Sequence, residues 1–389
     1  MVENKAEIES LFKKMMKNFE ESPLEDKIYQ EDFKDIGVFK VQWKICGILG
    51  YQIYEKDKIS YKFGEKLEEP DVSLTIRDSD IAIRFLKGEL FEFDYGPAYG
   101  GNFKINETIG WKVVETEKGK KRARINKPFV TARFNREKNY HPFILSKLPI
   151  FRYLVTQRLN EEDFGAYIPI NQSLGTYENQ VIPYKVFKHF IDKASNIVML
   201  KDCPCRTYND CQDYDKSLGC VYMGDDTLKL LLTEDRGSVV TKEEALERVK
   251  LAIDDGLIPL LGRAMDEAEG FGVPDTGHFL SMCFCCPCCC VDGKIVRYAS
   301  KSLNMFTRME GITVKVDEDL CVGCGECLEV CVFMGMEMID EKARVNQDNC
   351  LGCGRCESTC PNEAISIEIS DLSSVDELIK KLEAHVDVS

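Results

Sequence analysis

The chain has 389 residues, 44% hydrophobic and 30% charged, a globular composition with room for about two to three domains. Fifty-one basic against sixty-six acidic residues leave a formal charge of −15, which repels nucleic-acid phosphates and anionic lipid surfaces. No apolar run approaches the roughly 20 residues that span a bilayer, and the opening Met1-Val2-Glu3-Asn4-Lys5 lacks an export-signal pattern, so a cytoplasmic location is expected.

Ile8, Leu11, Phe12, Met15, Met16 and Phe19 stand at helical spacing and predict an amphipathic helix running towards Ser22-Pro23. From Val38 to Phe63 the pattern alternates: Phe39, Val41, Trp43 and Ile45 against Val38, Lys40, Gln42 and Lys44. Turns at Gly47/Gly50 and Lys56-Asp57-Lys58 divide this stretch into an antiparallel meander with one buried face. The run Glu69 to Ile76 is followed by Asp78-Ser79-Asp80, a capping run for a short helix ending Phe85-Leu86-Lys87-Gly88. A helix, a meander, Pro70-Asp71-Val72-Ser73-Leu74-Thr75-Ile76 and the later Gly101-Asn102-Phe103-Lys104-Ile105 resemble a sterol-carrier-protein-2-like domain. That resemblance implies an apolar groove for a lipid-like or aromatic molecule. An apolar stripe that is simply core is the competing reading.

Further along, Trp111–Glu115 and Arg122–Phe134 read as a hairpin around Glu117-Lys118-Gly119-Lys120, with the Lys118–Arg124 charge run as a solvated turn or a docking patch. Short helices punctuated by Pro142, Pro149, Pro169 and Pro183 follow. Val198-Met199-Leu200-Lys201 reads as a strand, and Thr241-Lys242-Glu243-Glu244 as a capping box for a helix that Gly256 ends. Ser374-Val375-Asp376-Glu377 opens a last helix with Leu378, Ile379, Leu382 and Val386 facing inward. The expected class is α+β and multidomain: a sterol-carrier-like α/β sheet domain over 1–135, a mixed cysteine-rich domain over 136–310, a ferredoxin-like domain over 311–370, and a helix over 371–389.

Nineteen cysteines exceed what a reducing cytoplasm sustains as disulfides, and their clustering points to metal or redox chemistry. Cys46 stands alone; four lie in 203–220, six in 283–290 and eight in 321–360. The last group reads Cys321-x2-Cys324-x2-Cys327-x3-Cys331 and Cys350-x2-Cys353-x2-Cys356-x3-Cys360-Pro361, the bacterial two-cluster ferredoxin pattern. Three closely spaced cysteines curl a loop around one face of an iron–sulfur cube, and the fourth of each run starts a helix beside the other cube. Hence Cys321, Cys324, Cys327 and Cys360 are expected on one [4Fe–4S] cluster, and Cys350, Cys353, Cys356 and Cys331 on the other. Gly323, Gly325, Gly352 and Gly354 suit the tight loops, Met336 to Gln347 alternates as a hairpin, and Val332 replaces the proline that follows Cys360 in the second run.

Upstream, Cys203, Cys205, Cys211 and Cys220 supply the four thiols a cube or a zinc ion takes, with Arg206 placed to offset cluster charge. In Cys283-Phe284-Cys285-Cys286-Pro287-Cys288-Cys289-Cys290, proline forbids a regular helix. A cluster on Cys283, Cys285, Cys286 and Cys288 is the first reading there, a dithiol redox centre the second, and the nearby His278 is either a ligand or a local structural residue. Residues 165–300 resemble a segment of iron–sulfur proteins of anaerobes that join such motifs to a terminal two-cluster ferredoxin.

The expected cofactors are two [4Fe–4S] clusters and one or two more iron–sulfur clusters, about 12 to 16 irons in all. A flavin remains compatible, since many flavin sites carry no readable motif. Two functions compete. One is an electron-transfer protein or reductase component joined to a redox partner protein and acting on an apolar molecule. The other is a hydrophobic-ligand carrier or redox sensor with mainly structural clusters. Neither needs nucleic acid or a membrane span.

Overall fold

The computed structural model describes residues 4–20, 26–34, 36–89, 92–94, 102–106, 111–116, 119–124, 130–135, 141–149, 151–152, 164–170, 182–230, 236–263, 268, 273, 276–303, 306–370 and 373–389. The chain divides into two compact units: Met1–Leu159 with Tyr298–Asn304, and Asn160–Arg297 with Met305–Ser389. Both combine helices with sheets. None of the described helices is long and apolar enough to cross a membrane.

In the first unit, strands β1 (Phe39–Ile45), β2 (Ile48–Glu55) and β3 (Lys58–Phe63) form the expected meander. Phe39, Val41, Trp43 and Ile45 are all buried, so the alternation in sequence is the two faces of β1. β4 (Val72–Ile76) pairs parallel to β1, and the helix Ser79–Leu86 follows, capped by the Asp78 carboxylate accepting from the Asp80 and Ile81 amides. β5 (Glu92–Asp94) and β6 (Asn102–Asn106) extend the sheet. The hairpin is shorter than the sequence predicts. β7 (Trp111–Thr116) pairs with β8 (Gly119–Arg124), whereas β9 (Val130–Phe134) is a separate strand inserted between β4 and β6. The order is β3-β2-β1-β4-β9-β6-β5.

The helix Lys5–Asn18 buries Ile8, Phe12, Met15 and Met16. It lies close over β2, where a Cβ on Gly50 would stand 2.8 Å from the Met16 methyl. Trp43 donates to the Gln52 amide oxygen at 2.9 Å and stacks on Phe151. These apolar residues are one packed core.

The second unit holds a seven-stranded sheet in the order β13-β11-β12-β15-β14-β10-β16. Its strands are β10 (Phe164–Tyr167), β11 (Ile197–Leu200), β12 (Val221–Met223), β13 (Gly237–Val239), β14 (Ile258–Arg263), β15 (Leu280–Cys285) and β16 (Phe306–Arg308). Among the described residues of this sheet, only the β10–β16 pairing is parallel. The helices Ile182–Lys193 and Lys242–Asp254 cover one face, burying Val186, Phe187, Val249 and Ala252 with Met282 and Phe284 of β15. The Thr241/Glu244 capping box forms as the sequence predicts. Beyond the sheet lie β17 (Ile312–Val316) paired with β20 (Ile365–Ile369), and the hairpin β18 (Met336–Ile339) and β19 (Lys342–Val345). The closing helix Ser373–Glu383 buries Leu378, Ile379 and Leu382 and joins Ile182–Lys193 through Lys185–Asp376 and Lys193–Glu383 ion pairs.

Candidate metal centres

The eight-cysteine tail folds as two similar loops. Each ends in a short helix, Glu326–Glu329 or Arg355–Thr359, opened by Gly325 or Gly354 in the left-handed region that favours glycine. Cys327 and Cys356 lie within these helices, while Cys331 and Cys360 follow them rather than starting helices as the sequence predicts. A pocket lined by Cys321, Cys324, Cys327 and Cys360 brings the fourth thiol of the second run to the first three of the first run. Backbone amides aim at the sulfurs: Ala343 at Cys321 (3.4 Å), Ala364 at Cys360 (3.3 Å) and Gly335 at Cys331 (3.2 Å). The amides of Ala343 and Gly323 pull the Cys321 thiol below its usual range. Such donors stabilise negative sulfur, which is what a cluster ligand requires.

Gly335 does double duty. A Cβ there would stand 2.7 Å from the Cys350 Cα, so only glycine lets its amide reach Cys331. Gly335→Ala should cost about 1–3 kcal/mol through overpacking. It should also speed iron loss in a chelator challenge, because it displaces thiols of both runs.

Residues 314–367 match the family model of the 4Fe-4S dicluster domain. The C-terminal region is a ferredoxin-like iron–sulfur domain. No curated protein matches the chain at a significant level. The tail and the clustered thiols upstream together point to iron–sulfur electron transfer.

Upstream, the ten thiols group across the two runs. β12 pairs with β15 through Val221↔Met282, and one step further along that register Cys220 faces Cys283, with their sulfurs 3.4 Å apart. Cys203 precedes the short helix Pro204–Tyr208, which carries Cys205. Hydrogen bonds from Cys205 and Cys220 hold the Cys203 thiol well below its usual range, while that sharing, and then burial, push those two up. Cys203, Cys205, Cys220 and Cys283 are thus one linked set. Cys285, Cys290 and Asp292 converge as a second set, and burial lifts the Asp292 carboxyl to about 6.

Cys211 is placed differently from the sequence expectation. It joins Cys286, Cys288 and Cys289. Strand parity explains the split: Cys283 and Cys285 share one face of β15, and Cys286 falls with Cys211 in the helix-covered core.

Arg206 is fully buried between these sets. Its guanidinium donates to the carbonyls of Asp215 (2.9 Å), Phe284 (2.7 Å) and Leu218, and its charge meets the sulfurs of Cys203, Cys286 and Cys220. His278 binds the Asp387 carbonyl at 2.8 Å through Nδ1.

Sequence reasoning missed Tyr167. Its side chain is fully buried, its ring lies 4.6 Å from Phe333, and burial with the charges of Cys285, Cys290, Asp292 and Cys283 raises its hydroxyl well above the usual range. Among the described residues that hydroxyl has no hydrogen-bond partner. A buried hydroxyl left without an acceptor carries a desolvation cost of about 1–3 kcal/mol, and an acceptor at the Cys285/Cys290 set would remove it.

Proposed function

We propose that the chain is an iron–sulfur electron-transfer protein or reductase component that passes electrons between its two-cluster domain and a second, cysteine-rich centre upstream. Cys321, Cys324, Cys327 and Cys360 would hold one [4Fe–4S] cluster, and Cys350, Cys353, Cys356 and Cys331 the other. Cys203, Cys205, Cys220, Cys283, Cys285 and Cys290 would supply the upstream one, with Cys220 and Cys283, whose sulfurs are 3.4 Å apart, on a single iron. Bound clusters supply reversible one-electron chemistry, and the polypeptide sets their spacing and potential.

The observation that carries this reading is the bridge between the two regions. Val332, next to Cys331, and Cys290 both lie against Gly293, and the neighbouring Phe333 ring meets Tyr167, whose hydroxyl feels the charges of Cys285 and Cys290. The Ile170 amide also donates to the Cys353 carbonyl at 2.8 Å. The valine in place of proline after Cys331 therefore lies at this junction. The acidic surface suits a basic redox partner.

In this proposal residues 1–135, 136–310, 311–370 and 371–389 serve as ligand, second-centre, dicluster and closing modules. An apolar acceptor held by the first module rests on the resemblance of that segment to sterol-carrier-like domains, and the filled core around Trp43 counts against a groove there.

A redox titration of oxygen-free protein, followed by paramagnetic resonance, tests the reading. Two low-potential couples plus a third support it. An iron content near eight with no third couple refutes the upstream centre, and iron-free protein refutes the whole. Tyr167→Phe should lower the third potential by about 40 mV, because a phenol donor favours the more negative reduced sulfur by about 1 kcal/mol. The other two couples should not move.

A further inference from the structure

We infer that Cys211, Cys286, Cys288 and Cys289 hold one tetrahedral zinc ion, distinct from the iron–sulfur clusters. The four sulfurs all lie within 4.8 Å of one another, and Cys288 stands 3.5 Å from both Cys211 and Cys289. Four thiolates around one ion with a metal–sulfur distance of about 2.3 Å sit about 3.8 Å apart along each edge of the tetrahedron. A cube spreads its four thiolates over four irons, so each edge lengthens by the full iron–iron separation. A ceiling of 4.8 Å leaves about 1 Å for that separation, less than a C=O bond of about 1.23 Å. One ion fits the set and a cube does not. The sulfurs are also well beyond the disulfide bond length of about 2.05 Å.

The metal follows from the donors. Four thiolates, with no further His, Asp or Glu ligand grouped with them among the described residues, make a closed, soft, tetrahedral site of the kind that serves structure, and zinc binds such donors more tightly than ferrous iron does. The ion would tie the loop after Pro204–Tyr208 to the turn that leaves β15, fixing Cys205 and Cys285 on either side of it. This holds whatever the neighbouring thiols bind.

The test is metal analysis of the full-length protein purified without oxygen, with X-ray absorption at the zinc edge. The expected result is about one zinc per chain with four sulfur neighbours at about 2.3 Å. The double variant Cys211→Ser/Cys288→Ser should lose that zinc while acid-labile sulfide stays constant. Wild-type protein without zinc, or zinc with fewer than four sulfur neighbours, overturns the assignment even if the variant does not fold. Sulfide lost along with the variant's metal overturns it too. Failure of the electron-transfer reading would appear separately, as missing iron with the zinc retained.

Discussion

Cys360→Ala should strip about four irons from the protein while leaving the cluster that depends on Cys331 in place. Local spacing alone does not demand this, because Cys360 belongs in sequence to the Cys350 run. The pocket lined by Cys321, Cys324, Cys327 and Cys360 does. The two cubes would then share a scaffold but not a ligand set, and the reduced variant should show one isolated paramagnet in place of an interacting pair. Stability should fall as well. Metal binding in small thiolate sites carries folding free energy of about 10 kcal/mol or more, and Cys321, Cys327 and Ile365 lie in the same core as the closing helix. Cys46→Ser is the control: that thiol lies in the first unit, and its loss should leave iron unchanged. Equal iron loss in both variants would overturn the interleaved ligand sets.

The sequence made the dicluster legible because three of each cube's four ligands are written in short spacings within one loop, and the doubled run supplies the fourth. Capping boxes are equally local, and Thr241/Glu244 closes as predicted. What stayed hidden depends on pairing between distant strands. Cys220 and Cys283 meet because β12 and β15 share a register. No spacing within either run encodes that, so the sequence grouped Cys211 with Cys203. One signal was present and unread: Phe284 sits between Cys283 and Cys285, so a strand through the run separates those two from Cys286 by parity. Tyr167 had no signal at all. A tyrosine in a four-residue strand becomes notable only once its hydroxyl is found buried, without a partner among the described residues and within the field of the Cys285 and Cys290 sulfurs. The hairpin error has the same origin, since Val130–Phe134 alternates as a hairpin strand would yet pairs with β4 and β6.

Arg206→Ala should be the most damaging substitution outside the cysteines, costing about 3–5 kcal/mol. Three carbonyls, from Asp215, Leu218 and Phe284, would lose their donor inside the protein. Arg206→Lys should recover less than half of that, because one ammonium cannot reproduce a planar fork aimed at three acceptors. The metal content separates this role from a purely local one. Arg206 joins the helix bearing Cys205 to the end of β15, where Cys285 belongs to one thiol set and Cys286 to another. Its loss should therefore release the upstream iron and the zinc together, while the dicluster keeps about eight irons. The zinc-site variant, by contrast, should lose only zinc. Retention of both upstream metals in Arg206→Ala protein would show that the thiols hold this region without the arginine, and the role argued for it would fall.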